Sequence, residues 1–323
     1  MRVLITGGFG YVGGRLAQFL ASKTNYGIIL GTRERTEPPH WLPQAQVVQM
    51  RFGSPTELAR ACIGVDAVVH LAGMNAQDCS ADPIAALEFN AIATARLLQA
   101  ACRQGVKRFI YLSTAHVYSN PLAGVITEET CPTSLGPYAT SHRAGEDVVR
   151  TAHQHGDITG IVMRLSNAYG TPAHKSANCW MLLVNDLCRQ AVMTQNMALR
   201  SSGLQRRNFI PLTEVCRAIS HLLHLPTQDL GQCIFNVGGE WSPTVWELAN
   251  FVQERCATIL GFRPTLTRIR PQVGETSVEL DFRSDRLRQS GFAPGSDRTG
   301  EIDRLIEFCK FEFPRICEKG NGE

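Results

Sequence analysis

The chain has 323 residues, 44% of them apolar and 19% charged, with a net charge of +3. That length suits one large or two interlocked domains. The charge is too small to argue for nucleic acid or an anionic membrane as partner, and no apolar run approaches the about 20 residues that span a bilayer.

The N-terminus reads "MRVLITGG", a short apolar run broken by glycines and without a cleavage site. It predicts no signal peptide. Eleven cysteines are scattered with no Cys-x-x-Cys pair, which points to reduced thiols in a cytoplasmic protein and to no metal site.

In chain order, "RVLITGG" (2–8) predicts a strand and "YVGGRLAQFLAS" (11–22) a helix. Strands follow at 27–32 and 45–50, a helix at 55–64, a strand at 66–73 and a long helix at 81–105. A strand at 108–114, a helix at 139–156 and a strand at 158–166 complete this half. Near-continuous apolar strands alternating with helices imply an α/β fold, a parallel sheet covered on both faces.

The second half predicts helices at 178–192, 213–225, 244–260 and 301–313, one strand at 233–239, and irregular chain over 262–299. No linker separates the halves. The expected organisation is a nucleotide-binding unit over 1–170 to which 205–240 returns. A smaller interleaved substrate unit would take 171–204 and 241–323.

"TGGFGYVGG" sets Gly8, Gly10 and Gly13 in G-x-G-x-x-G spacing, after a strand and at the start of a helix. Glycines there permit a tight turn and close approach to a pyrophosphate, which the helix N-terminus attracts. An acidic residue usually closes the second strand of an NAD site, accepting the ribose 2′-hydroxyl. Here Gly31 stands there, followed by Arg33 and Arg35. That pattern favours NADP over NAD, since Arg can pair with a 2′-phosphate, unless these arginines are plain solvated loop charges.

Eight segments, in order over nearly the whole chain, carry a resemblance: "TGGFGYVG" (6–13), "DAVVHLAG" (66–73), "FNAIATARLLQAA" (89–101), "YLSTAHVYS" (111–119), "PYATSHRAGE" (137–146), "RLSNAYG" (164–170), "RRNFIPLTEV" (206–215) and "FNVGGEWSPTVWELA" (235–249). Together they resemble the extended short-chain dehydrogenase/reductases, the NAD(P)-dependent nucleotide-sugar epimerases and dehydratases. The resemblance implies a Rossmann-type doubly wound parallel sheet with a smaller interleaved C-terminal substrate domain, a nucleotide-sugar partner, a homodimer through the 81–105 helix and the helix carrying Tyr138, and a Ser/Thr–Tyr–Lys catalytic set. The first position falls on Thr114, beside Ser113, and the tyrosine on Tyr138. On cofactor positions it places Gly7, Gly8, Phe9, Gly10, Tyr11, Val12, Gly13, Arg33, Leu71, Ala72, Gly73 and Leu165. By the substrate or the nicotinamide it places Asn167 and Tyr169, and on the substrate Arg207 and, in "RPQVGETS", Arg270. Asn90 takes the structural asparagine of the long helix.

The departures matter as much. His142 replaces the lysine four residues after the tyrosine. Lysine lowers the phenol pKa by its charge; a neutral histidine does not. His142 is then a working substitute, the mark of a slow or specialised site, or a tolerated change in a chain that binds cofactor without turnover. Ala115 and His116 replace the Asp-Glu acid/base pair of the dehydratases. An elimination needs a placed acid and base, so 4,6-dehydration is disfavoured, with His116 either a pocket group or a packed one. Arg51 replaces an adenine-contacting acid. The function expected is an epimerase or 4-ketosugar reductase. Alternatives are a cofactor-binding sensor or scaffold, and an NADP-dependent reductase of a non-sugar carbonyl.

Overall fold

Apolar strands that alternate with helices build a seven-stranded parallel sheet in the computed structural model, which describes residues 1–295 and 297–313. Residues 314–323, the end of the expected second unit, lie outside the described residues. The first strands and helices are β1 (Arg2–Thr6), α1 (Tyr11–Lys23), β2 (Gly27–Thr32), β3 (Gln46–Gln49), α2 (Pro55–Ala61) and β4 (Ala67–His70). Ser54 caps α2 by accepting from the Glu57 N–H, with Pro55 at the first helical position, the usual start signals.

The expected long helix is interrupted. Asp82 precedes Pro83, and proline disfavours helical backbone in the residue before it. The chain therefore forms α3 (Ala76–Ala81) and α4 (Pro83–Leu87), then a π-helical turn (Glu88–Ile92) and α5 (Ala93–Arg103). After β5 (Arg108–Thr114) come a 3-10 turn (Ala115–Val117), β6 (Gly124–Ile126), α6 (Pro137–Gln154), β7 (Thr159–Leu165) and β8 (Asn167–Tyr169).

The remainder holds α7 (Leu183–Thr194), β9 (Asn196–Ala198), β10 (Phe209–Pro211), α8 (Leu212–His224), β11 (Ile234–Val237), α9 (Val245–Leu260), β12 (Thr265–Thr267), β13 (Leu280–Phe282), α10 (Asp285–Gln289) and α11 (Arg298–Glu312). A Thr244–Glu247 capping box opens α9, and Gly261 closes it with φ 76°, a left-handed end that glycine adopts without strain. The stretch 262–299, expected to be irregular, contains β12, β13 and α10. Each of these strands has three residues, too few to show a period of two, and each pairs with a distant partner: β12 with β9, β13 with β6.

The sheet order is β3-β2-β1-β4-β5-β7-β11. One face buries α1 and α8 against Val3, Ile5, Leu30, Val69 and Ile161. The other buries α2, α5 and α6 against Leu4, Val68, Phe109 and Val162. A separate core forms among α7, α9 and α11, including Leu187, Leu248 and Leu305. Each fully buried Leu or Val contributes about 1.5–3 kcal/mol by leaving water.

Two charged residues tie these layers together from inside. Glu146 on α6 pairs bidentately with Arg164 on β7 at 2.6 and 3.0 Å, and Ser113 of β5 donates to it at 2.5 Å. Burial alone would depress the guanidinium pKa, but Glu146 outweighs it and holds Arg164 above its ordinary value. Glu301 of α11 is fully buried and accepts from Thr213 at 2.6 Å and from Arg304 at 3.1 Å, with Arg15 of α1 at 3.8 Å.

Candidate active site

The glycine loop follows directly from local sterics. Gly7 has φ 64°, and the Gly10 N–H closes the turn onto the Gly7 carbonyl at 2.8 Å. A Cβ on Gly13 would sit 2.2 Å from that same carbonyl, so no larger residue fits. Gly10 caps α1 with no side chain bonded across the helix start, leaving first-turn N–H groups for an anion. This cradle fits a dinucleotide pyrophosphate. Phe9, Tyr11 and Val12 contribute backbone to the loop while their side chains pack on the core. Tyr11 donates to the Gly170 carbonyl at 3.1 Å. His174, stacked on Trp41, donates to the Phe9 carbonyl at 2.8 Å.

At the end of β2, a Cβ on Gly31 would meet Met50 Sδ at 2.4 Å. The position is filled by the Met50 side chain, just past β3, which would have to move aside for any side chain at 31. Arg33 is exposed, with its guanidinium 5.7 Å from the Phe89 ring centroid. Arg51 pairs with Glu57 at 3.4 Å, an exposed pair of little energetic weight.

The catalytic candidates meet at the C-terminal end of the sheet, where open α/β folds place ligands. Thr114 ends β5 beside Leu165, its register partner on β7. The Thr114 hydroxyl accepts from the His116 N–H at 3.2 Å. Tyr138, on the first turn of α6, is held above its ordinary pKa by burial, opposed by a hydrogen bond with Thr114. His142 lies one turn on, edge to face with Tyr138 at 4.7 Å between ring centroids.

The lysine position thus holds a buried ring. Nδ1 of His142 is 3.0 Å from the Tyr111 hydroxyl. A Cβ on Gly73 would lie 3.6 Å from Cε1 of His142 and 3.8 Å from Nε2, so this edge faces the loop Leu71–Gly73. That loop is anchored from below: Leu71 and Ala72 donate N–H groups to the Thr6 hydroxyl at 3.1 and 3.2 Å. Burial pushes His142 down to about 4, so it is neutral at neutral pH and supplies no charge to Tyr138.

Asn90 organises the back of the site. It accepts from the Met74 N–H at 2.8 Å and donates to Ser141 at 3.0 Å. The π turn frees its carbonyl to accept from Thr94 at 2.7 Å and from Tyr111 at 3.3 Å. Such turns often occur at functional sites.

In front of Tyr138 opens a cleft of about 300 Å³, lined by His116, Asn167, Gln205, Arg206 and Arg207 among others. Asn167 is fixed by donating to the Asn208 carbonyl at 2.9 Å. Arg207 is exposed at the rim. Two expected substrate residues are not in this cleft. Arg270 is exposed and does not line it. Tyr169 is 1% exposed in the core among α7, α9 and α11, its hydroxyl without a partner.

A model of the NAD dependent epimerase/dehydratase family matches residues 3–238. The chain belongs to that family. Among its relatives is the dTDP-glucose 4,6-dehydratase of Streptomyces niveus, 26% identical over 321 residues, covering 95% of this chain and 91% of the relative. The D-erythronate dehydrogenase of Haemophilus influenzae is 31% identical over 237 residues, covering 71% and 74%. The fold matches the UDP-glucuronic acid 4-epimerase of Bacillus cereus with a TM-score of 0.78 at 19% identity, covering 96% and 99%.

Within this epimerase/dehydratase family member, the cleft has no carboxylate among its lining residues. Ala115 is buried, and His116 is the one imidazole among the described residues that line the cleft. Sequence reasoning missed Tyr111 and Met50. Tyr111 was legible in principle: Tyr111 and Ser113 are two apart on a strand, and their partners His142 and Glu146 are four apart on a helix, so each pair shares a face. Met50 gave no such signal, because only strand register brings it to Gly31.

Proposed function

We propose that the chain is an NAD(P)-dependent epimerase or 4-ketosugar reductase of nucleotide sugars. The observation that carries this reading is the placement of Tyr138 in the wall of a cleft that also holds Asn167 and Arg207, with Thr114 ending β5 behind it. A bound nicotinamide would exchange hydride with the substrate carbon. Tyr138 would hold or deliver the proton at the substrate oxygen, and Thr114 would orient that oxygen. His142 would present Nε2 to the cofactor side without adding charge. The filled space at Gly31 and the exposed Arg33 support NADP over NAD, since a 2′-phosphate meets no carboxylate there. The absence of a carboxylate from the cleft lining supports epimerisation or reduction over dehydration.

Exposed Ile84, Leu87 and Ile92 on the segment before α5 support a homodimer, which light scattering tests. The described cysteines are free and mostly buried, in keeping with a cytoplasmic, reducing setting. The deciding experiment is gel filtration followed by assay. Protein that retains nicotinamide and interconverts sugar epimers is an epimerase. Protein that arrives empty and oxidises NADPH with a ketosugar is a reductase. Protein that binds cofactor and turns over no nucleotide sugar is a sensor, or, given the 31% identity to D-erythronate dehydrogenase, acts on a small non-nucleotide hydroxy or carbonyl compound.

A further inference from the structure

His116 stands in the cleft wall two residues past Thr114, and its own N–H holds the Thr114 hydroxyl at 3.2 Å. Its ring is therefore tied to the catalytic end of β5. Its Nδ1 is shielded from solvent and has no hydrogen-bond partner among the described residues. Buried polar atoms are nearly always paired, so an orphan in a cleft wall asks for an explanation. A buried N–H without a partner is rarer than a bare acceptor. With the proton on Nε2, Nδ1 is the bare acceptor and this ring of the cleft wall keeps an N–H to donate.

The neighbours set what that donor meets. Burial, with Arg207 adding to it, holds His116 below its ordinary pKa, so the ring is neutral. Arg206 is already engaged by Glu247 at 3.5 Å and Glu279 at 3.3 Å. Arg207 has no carboxylate within 4.0 Å among the described residues, and no carboxylate lines the cleft. One unpaired cation and one unpaired neutral donor thus share a corner, an arrangement that favours an anionic oxygen.

We infer that His116 is a neutral hydrogen-bond donor which, with Arg207, holds an anionic oxygen of the substrate, a phosphate or a sugar carboxylate, and is not an acid or base of the reaction. This rests on the nucleotide-sugar reading above.

The test is calorimetric titration of UDP, UDP-glucose and UDP-glucuronic acid into cofactor-loaded wild type, His116→Ala and His116→Gln. The alanine variant should lose about tenfold or more in affinity, the size of a lost hydrogen bond to a charged group. A loss shared by all three ligands assigns the phosphate. A loss confined to UDP-glucuronic acid assigns a carboxylate. The glutamine variant, which keeps an N–H donor, should bind within about threefold of wild type if donation is the role. Cofactor affinity and melting temperature should not fall in either variant. Unchanged affinities, equal losses for both sugars with UDP unaffected, or a glutamine variant as weak as alanine would each overturn the inference. A wild type that binds none of the three, nor dTDP and dTDP-glucose, sinks the nucleotide-sugar reading, and the inference with it. A wild type that binds them no better than His116→Ala sinks the inference alone.

Discussion

The Tyr111 hydroxyl lies 3.0 Å from Nδ1 of His142 and so claims one of the ring's two nitrogens. Only Nε2 is left to face the loop at Gly73. The phenol is in turn held by the Asn90 carbonyl at 3.3 Å. A side chain inside the sheet thereby fixes the orientation of a residue at the cofactor edge. Removing the hydroxyl in Tyr111→Phe leaves Nδ1 buried without a partner. We expect a loss of about 1–3 kcal/mol in urea unfolding, with weaker cofactor binding by fluorescence titration. Full stability and unchanged affinity would show that the contact does not orient the ring.

Tyr138→Phe should cut turnover by about 10²-fold or more, the usual worth of a positioned acid or base, with cofactor affinity unchanged. His142→Lys tests the missing charge. An ammonium beside the phenol lowers its pKa, so the alkaline limb of the pH–rate profile should move to lower pH and turnover at neutral pH should rise. A profile that stays in place argues that charge at this position is irrelevant to Tyr138.

Burial sets a pH window for stability. His142 is held down at about 4 against an ordinary 6.5, so between those values the unfolded chain binds more protons than the folded one. Stability is full above about pH 6.5 and falls as pH drops toward 4. For His142 alone the loss from pH 7 to 5 is about 2 kcal/mol. His70, buried between Thr6 and Thr94 and held down at about 3, adds in the same direction. Urea midpoints should decline over this range, and less steeply in His142→Gln. Equal slopes in both proteins would refute the assignment to His142.

The cofactor loop gives steric predictions. Gly13→Ala places a methyl 2.2 Å from the Gly7 carbonyl and should abolish dinucleotide binding. Gly31→Asp collides with Met50 and should destabilise the fold instead of creating an NAD site. Arg33→Ala should weaken NADP about tenfold, as expected for a lost charge-assisted contact, while NAD is unaffected. Equal losses for both cofactors would remove Arg33 from 2′-phosphate recognition.

The apolar strands and the glycine loop were legible because each repeats a local rule over many residues. The runs 27–32 and 108–114 match β2 and β5 residue for residue. The short strands β6, β8, β9 and β10 were not legible, because a three-residue strand exists only through a partner far along the chain. The site divides the same way. Thr114, Tyr138 and His142 stand on regular elements whose spacing brings them together. Arg270 and Tyr169 stand where backbone path, not spacing, decides which way a side chain goes, and neither lines the cleft. The helix expected over 81–105 was right in type and wrong in continuity. Pro83 was visible in the sequence; the π turn that frees the Asn90 carbonyl was not.

Glu301 bears on how the chain is made. Its carboxylate sits against Arg15 and Thr213, beneath Gly170, where a Cβ would lie 2.1 Å from Oε1. During translation the glycine-loop helix emerges early, but the anion that belongs beside it emerges roughly 285 residues later, about 15–60 seconds at about 5–20 residues per second. Until then Arg15 has only the Thr213 hydroxyl of α8, to which it donates at 3.2 Å. A chain cut before α11 would therefore leave Arg15 without this buried anion, and we expect such a fragment to be less stable than the full chain.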